Sequence, residues 1–425
     1  METDEVPFSE LLSEVIDNRG KTCPTADAGI PLIATNCIRN ELLYPTYDKV
    51  RFVSQETYDT WFRGHPKPGD IIFVNKATPG RVCLVPDPVD FCIAQDMVAV
   101  RANPKKVSPK YLFAVLRSPS VQEKIEQMHV GTLIPHFKKG DFDKLRLPIP
   151  GREIQEFIGD CYFDMSAKID LNRRMNETLE AMARALFQSW FVNFDPVRAN
   201  GGHFQDSAIG KIPKGWKVER FDKHITVDRG LSYKGEGLRD DGTGLPMHNL
   251  NSVYEEGGYK HEGIKYYAGE YREKHLLNPG DMIVTNTEQG FDHLLIGHAA
   301  IVPKRYGPKG LFSHHIYRVR HKPSSPFSPH YLVELFNNPR WHYWISGFSN
   351  GTTINMLPKD ALEMPLLVVP PDELVKKFTA LATAVHSQVE ANLEQSRTLA
   401  AMRDALLPKL LSGELRVPIE RRNHV

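Results

Sequence analysis

Apolar residues recur at three- and four-residue steps through residues 165–190, as Met165, Ile169, Met175, Leu179, Met182, Leu186 and Trp190. Alanine, glutamate, arginine and other good helix formers fill the positions between, so the pattern predicts one long helix with a single apolar stripe. The stretch 389–411, VEANLEQSRTLAAMRDALLPKLL, has the same spacing and aligns with the first at a shift of 220 residues. Asn172 falls on Asn392, Thr178 on Thr398, Leu179 on Leu399, Met182 on Met402, Ala185 on Ala405 and Leu186 on Leu406. Counted over 152–191 and 372–413, each helix has roughly forty residues and spans about 60 Å. Helices of that length pack on one another, and the matched Asn172 and Asn392 on the seam would fix register at some cost in stability. Gly159 should weaken the first helix locally, and Pro408 should kink or end the second.

Outside these helices the apolar runs are short. Residues 30–38 (IPLIATNCI), 70–75 (DIIFVN) and 96–101 (DMVAVR) read as strands. Residues 108–118 (SPKYLFAVLRS) read as a short amphipathic helix opened by a serine cap and a proline in its first turn. Residues 131–137 (GTLIPHF) form a turn-rich loop, and 145–150 (LRLPIP) a strand that ends where the long helix begins. The plan then recurs: PGDIIFVN at Pro68 matches PGDMIVTN at Pro279, and IPLIATNCI at Ile30 matches LPMHNLNSV at Leu245. SPKYL at Ser108 matches SPHYL at Ser328, GTLI at Gly131 matches GTTI at Gly351, and LPIP at Leu147 matches LVVP at Leu367. The shift is 215 at Pro31/Pro246 and 220 from Asp96/Ile316 onward, which puts the insertions in the first half of the unit. The expected class is α+β, a tandem duplication of a mixed α/β domain followed by a long helix. The segments are a first domain at 1–150, the first long helix and linker at 151–200, a second domain at 201–370, and the second long helix and tail at 371–425. The linker, 191–216, is dominated by glycine, proline and charge.

The chain of 425 residues carries 53 lysines and arginines against 52 acids, so any surface for a polyanion must be local. Residues 101–146 hold ten lysines and arginines against four acids, whereas the first twenty residues hold six acids and one arginine. The five cysteines, Cys23, Cys37, Cys83, Cys92 and Cys161, form no CxxC pair and are odd in number. Neither a zinc ribbon nor a disulfide framework is indicated, and a reduced, cytoplasmic setting fits. An acidic N-terminus without an apolar core, and no apolar run near the length of a membrane span, point to the same place. No Walker GxxxxGK(S/T) is present, and Asn103-Pro104-Lys105 and Asn338-Pro339-Arg340 lack the second proline and aromatic of an amino-methyltransferase loop. Asp141, Asp143 and Lys144 suit a loop and capping role better than a metal site. His261, His275, His293 and the pair His314-His315 lack metal-ligand spacing. No catalytic constellation emerges.

The run LNRRMNETLEAMARALFQSWFVNFDPVRA, the LLPKLLSGEL that closes the second helix, and the PGD and GT elements within each unit closely resemble the specificity subunit of type I restriction-modification systems. The resemblance covers nearly the whole chain, in the order domain, helix, domain, helix. It implies that each globular unit is a target-recognition domain for one half of a split DNA sequence. It also implies that the two helices pair as an antiparallel coiled coil, both a spacer and a dock for two methyltransferase subunits. S-adenosylmethionine, and ATP with Mg, are then expected in partner subunits and no cofactor in this chain, with restriction subunits able to join. The alternatives are a targeting subunit of another defence complex and a protein scaffold that binds no DNA.

Sequence readers place arginine or lysine on guanine, asparagine or glutamine on adenine, and further cations and hydroxyls on phosphates. In the first unit the polar residues beside the shared strands are Arg19, Lys21, Asn36, Arg39, Lys76, Thr78 and Arg81, followed by His136, Lys138 and Lys139. In the second they are Arg229, Tyr233, Lys234, His248, Asn249, Asn251, Thr287 and Gln289, with Thr352, Thr353 and Asn355 in the GT loop. Arg19/Arg229 and Asn36/Asn251 recur in both units and suit a shared structural or phosphate role. Positions that differ, Lys76 against Thr287 and His136 against Met356, suit base choice. On the helices Met182, Leu186, Phe187, Trp190, Phe191, Leu406 and Leu410 carry more apolar surface than one seam requires. They either pack beneath the adjoining domains or form a docking face for a partner's helices.

Overall fold

The computed structural model describes residues 4–18, 21–128, 135–240, 242–289, 292–351 and 354–417. Its residues divide into two compact units, Met1–Arg174 with Asn392–Val425, and Met175–Ala391. The division falls inside both long helices, Arg152–Phe187 and Asp372–Ser412. The segments 151–200 and 371–425 are therefore each shared, and a globular domain in either unit is built together with part of both helices.

In the first unit a four-stranded antiparallel sheet has the spatial order Leu12–Asp17, Met97–Ala102, Ile71–Val74, Val82–Leu84. A three-stranded sheet (Arg51–Val53, Ile30–Ile33, Cys92–Ile93) lies beside it in the sequence, and Asp4–Pro7 pairs with Arg146–Ile149. The run predicted as one strand at 30–38 is extended only over Ile30–Ile33 and then coils into a 3-10 turn, Thr35–Cys37, because the Cys37 and Ile38 amides turn back onto the Ala34 and Thr35 carbonyls. Helix Pro109–Leu116 buries every side chain from Tyr111 to Leu116. Ser108 stands at its N-cap without a capping hydrogen bond from its hydroxyl; its amide donates instead to Gln155 Oε1 on the long helix, 2.9 Å away. Ser328, its counterpart in the second unit, does cap, accepting from the Tyr331 amide.

The second unit repeats the sheet order with Ile225–Arg229, Ile316–His321, Met282–Thr285 and Ala299–Ile301. The ladders correct the alignment. Val74 lies opposite Met97 and Thr285 opposite Ile316, so Ile316 corresponds to Met97 at a shift of 219, one residue from the sequence match with Asp96. The shift is 211 along the PGD strands, 217 at the strands beginning Val82 and Ala299, 219 here, and 220 only at the Ser108/Ser328 caps. The largest step, six residues, falls in the loop that follows the PGD strand.

The motif itself is a structural device. Gly69 and Gly280 sit at φ +84 and +89, where glycine alone is unstrained. The aspartate that follows accepts the amide three residues back, Lys67 for Asp70 and Asn278 for Asp281. It also takes two hydrogen bonds from an arginine on the neighbouring strand: Arg101 to Asp70 at 2.8 Å, and Arg320 to Asp281 at 2.8 and 2.9 Å. Asp70 is nearly buried, so an unpaired carboxylate there would be costly.

The long helices run antiparallel within each unit. In the first, the Asn172 amide donates to the Asn392 carbonyl (3.3 Å), Gln395 Oε1 (2.9 Å) and Ser396 Oγ (3.1 Å), while the earlier Ser166 meets Arg403. In the second, Phe187 and Trp190 pack edge-on against Phe378. The buried line is not the apolar stripe expected from spacing. Ser166, Asn172, Asn176 and Ala183 are buried on the first helix, while Met175 and Met182 lie exposed. Small and polar residues let two helices approach closely and pair in one register, and the longer methionines are left outside. Gly159 has the same origin: a Cβ there would lie 2.6 Å from the Tyr111 backbone nitrogen. Pro408 is carried within the second helix, which continues to Ser412. It stands in the last turns, where only a few residues follow the lost hydrogen bond. Among the described residues no helix is long and apolar enough to cross a membrane.

Replacing Asp70 or Asp281 by alanine removes the bidentate partner of Arg101, which keeps Glu14, or of Arg320, and frees the turn, and each change should destabilise its own unit by about 1.5–3 kcal/mol. Urea unfolding of the full chain, followed by the tryptophans, checks this; a midpoint unchanged in both variants would show that the pair carries no structural weight.

Candidate nucleic-acid interface

In both units the chain returns to one end of the four-stranded sheet. In the first unit that end is formed by Asp17, Asn75, Lys76, Arg81 and Asp96, at the termini of the four strands. The arm after residue 134 closes on it: the Phe137 amide donates to the Asn75 carbonyl and the Asn75 amide side chain to the Phe137 carbonyl. Lys76 and His136 are thereby brought opposite one another as an isolated antiparallel bridge. The second unit does the same on a larger scale. The Leu357 amide donates to the Asn286 carbonyl, and Thr287–Gln289 pairs with Ile354–Met356 as a two-stranded ribbon. Thr287 lies opposite Met356. The two position pairs singled out for differing between units are thus cross-strand partners in each, a relation that sequence spacing could not reveal.

Lys76 holds a loose ion pair with Asp96, Nζ to Oδ1 3.8 Å, and Lys139 one with Asp17 at 3.5 Å. Lys138, Arg81 and Lys21 are exposed, and Thr78 is half-buried. Asn36 and Arg39 belong to the turn after Ile30–Ile33. Both reach Asp48, the first through its carbonyl (2.7 Å) and the second through its carboxylate (3.2 Å). Arg19 lies outside the described residues. Its expected match with Arg229 is corrected by the ladders: Arg229 pairs with Tyr317 and Asp17 with Val98, so the counterpart of Arg229 is Asp17.

In the second unit Arg229 is exposed and donates to the Met356 sulfur at 3.6 Å. Lys234 and Asn251 are exposed, and Tyr233 packs edge-on against Tyr267. Four residues expected to touch DNA are internal instead. His248 is 1% exposed, hydrogen-bonds Tyr259 Oη at 2.8 Å, and has its imidazole pKa pushed down to about 3 by burial. Asn249 caps a 3-10 turn and donates to the Met247 and Gly263 carbonyls. The Thr287 hydroxyl lies 3.0 Å from His315 Nδ1, and Asn355 is buried. Asn355 falls with its cross-strand partner Glu288 on the inward face of the ribbon, whereas Thr287 is on the opposite face and is covered there by His315. Gln289 is on the outward set and exposed. Thr352 and Thr353 lie outside the described residues.

Glu288 is the participant that sequence reasoning missed. Its carboxylate accepts the amides of Leu294, Leu295 and Ile296, at 2.8, 3.2 and 2.9 Å, and so ties the ribbon to the loop that follows. A lone glutamate bonded to loop amides leaves no spacing signal. Its counterpart in the first unit is Ala77, where the backbone turns at φ +68 and the loop is six residues shorter.

The basic excess of residues 101–146 is largely engaged internally. Arg101 is held by Asp70 and Glu14, and Arg117 is buried and donates to the Leu42 and Val82 carbonyls. Lys110, Lys124 and Lys144 pair with Asp160, Glu5 and Asp141. Asp141, held below the usual carboxylate range by Lys144, and Asp143, which accepts from Ser9, are occupied in the loop. No group of three His, Cys, Asp or Glu side chains among the described residues is placed to hold a metal ion.

The helical residues expected to dock a partner divide as well. Phe187 and Phe191 enter the second unit's core with Tyr331 and Phe378, and Leu406 and Leu410 join the first unit's core. Leu186 and Trp190 are half-buried against the second core, and Met182 stands 54% exposed.

The family model for the type I restriction modification DNA specificity domain matches residues 14–181. The type I restriction enzyme MjaIX specificity subunit of Methanocaldococcus jannaschii is 24% identical over 402 residues, covering 91% of this chain and 87% of that one. The HindI specificity subunit of Haemophilus influenzae is 24% identical over 405 residues, covering 82% of this chain and 87% of its own. The crystal structure of the S subunit of a type I restriction-modification system from M. genitalium shares the fold, with a TM-score of 0.55 at 13% identity and 96% of each chain covered. With the duplicated order of domain and helix set out above, the chain is similar over most of its length to type I restriction-modification specificity subunits, and residues 14–181 match that family's DNA specificity domain.

Proposed function

We propose that this chain is the non-catalytic DNA-reading subunit of a type I restriction-modification complex, each unit reading one half of a bipartite target. The observation that carries the reading is the pair of equivalent sheet ends. One scaffold, fixed by the same Gly-Asp turn and by an asparagine carbonyl that takes an amide of the returning arm, presents Lys76 and His136 in one unit and Gln289, Ile354 and Met356 in the other. A common frame with unlike outward residues is what two readers of unlike half-sites require. The exposed Arg81, Lys138, Lys139 and Arg229 stand at or near these ends and, with the exposed Lys21 and Lys234, supply phosphate contacts.

The helices hold the readers and receive two modification subunits. Each unit leaves its own exposed apolar residues on its helical segments: Leu171, Leu393 and Met402 in the first, Met175, Met182 and Leu381 in the second. Met182 and Met402 occupy matched positions and are 54% and 50% exposed, which suits one docking face per modification subunit; methionine adapts well to such faces. S-adenosylmethionine, and ATP with Mg, belong to the partner subunits in this reading. A protein-binding scaffold is the second reading, favoured by the exposed Leu294, Phe348 and Ile354.

Mapping methylated adenine in a genome that expresses the chain with its neighbouring modification subunit should yield a split motif with a fixed gap, absent with the modification subunit alone. A complex that forms and leaves no motif would favour the scaffold. Inserting one matched four-residue turn into both long helices should lengthen the spacer by about 6 Å, which widens the gap by about two base pairs and leaves both half-sites unchanged; an altered half-site would contradict the division of labour. Alanine at Lys138 and Lys139 should weaken binding to all sequences alike and flatten the plot of log affinity against log salt by about 0.9 for each phosphate left unneutralised; an unchanged slope removes both from the interface.

A further inference from the structure

The ribbon of the second unit has two unlike faces. Glu288 and Asn355, partners in the middle of the ladder, are 8% and 3% exposed and face inward. The pairs on either side face the other way: Gln289 opposite Ile354, and Thr287 opposite Met356. Thr287 is covered, with its hydroxyl turned to His315, so the outward face consists of Gln289, Ile354 (58% exposed) and Met356 (38% exposed). Arg229 lies at the edge with its guanidinium on the Met356 sulfur. The equivalent bridge in the first unit presents a lysine and a histidine and no aliphatic group.

A two-stranded ribbon is of a size that the DNA major groove admits. A carboxamide suits the N6 and N7 edge of adenine, and an aliphatic group suits the thymine methyl. Gln289 and Ile354 are direct cross-strand partners, so one base pair, or two in succession, falls within reach of both. A phosphate contact would have no use for Ile354.

Resting on the reading above, we infer that the outward face of Thr287–Gln289 and Ile354–Met356 recognises an A·T pair in the major groove of the second unit's half-site, Gln289 taking the adenine and Ile354 with Met356 the thymine methyl. This pair is additional to the one carrying the modified adenine. Glu288 acts as a positioning residue, holding the adjoining loop to the ribbon through the amides of Leu294, Leu295 and Ile296.

The test uses the complex of the full chain with its modification subunit and duplexes bearing the mapped motif, each thymine replaced in turn by deoxyuridine. At one thymine of the second half-site, not the one opposite the modified adenine, deoxyuridine should weaken binding about fourfold, the effect of withdrawing one buried methyl group. The same replacement throughout the first half-site should be neutral. The double variant Ile354→Ala/Met356→Ala should bind thymine DNA about as weakly as the unaltered chain binds deoxyuridine DNA, with no further loss on deoxyuridine. Gln289→Ala should relax the choice of base at that pair. Deoxyuridine without effect at every thymine of the second half-site overturns the inference, although the split motif itself would stand. So does a double variant that keeps the sensitivity, or one that reads the motif unchanged and no longer binds the modification subunit. Absence of any motif is a different failure, that of the function reading.

Discussion

A strand of four buried residues, held at both ends, is the constraint on which each unit depends. At its start a glycine with positive φ lets the aspartate turn back onto the amide three residues earlier and take an arginine from the next strand. At its end the backbone carbonyl of an asparagine takes an amide of the returning arm: Asn75 bonds Phe137 both ways, and Asn286 receives the Leu357 amide while its side chain donates to the His314 carbonyl. The strand between is wholly buried in both units, so neither end can slide without exposing apolar surface or orphaning a charge. The residues just beyond the asparagine are therefore displayed at a fixed place while remaining free to differ.

That freedom has been used unequally. In the first unit the backbone turns at Ala77 and leaves one bridge, with a short loop back to Gly80. In the second the strand runs on through Glu288, the ladder extends to three residue pairs, and six more residues enter the loop. A longer ladder needs an inward residue in its middle, and there the second unit buries a carboxylate satisfied by three amides. The cost of burying that charge is offset by the three charge-assisted hydrogen bonds that it accepts from the loop.

The helices follow a parallel logic. Their seam is lined with serine, asparagine and alanine, and the amide of Asn172 reaches three acceptors on the opposing helix. A wholly apolar seam would tolerate slippage by a turn, whereas a buried amide finds its partners in one register only. The larger apolar residues are divided between the domain cores, which claim Phe187, Phe191 and Leu410, and the outside, which keeps Met182 and Met402.

The duplication, the two long helices, the Gly-Asp turn and the matched asparagines were legible in the sequence because each is a local pattern that recurs with fixed spacing. Composition also excluded a chain coated with positive charge. Which residues reach the surface was not legible. His248 and Asn249 look like readers and serve the core, Arg101 and Arg117 look like a basic patch and serve internal carboxylates and carbonyls, and Arg229 aligns with Arg19 by spacing but with Asp17 by ladder. Strand register and the inward or outward sense of each side chain depend on long-range pairing, and a slip of one residue reverses them. The sequence by itself therefore determined the frame and its repetition, and the tertiary structure alone decided which of its polar residues face outward, because only the pairing of distant strands sets the face on which a side chain emerges.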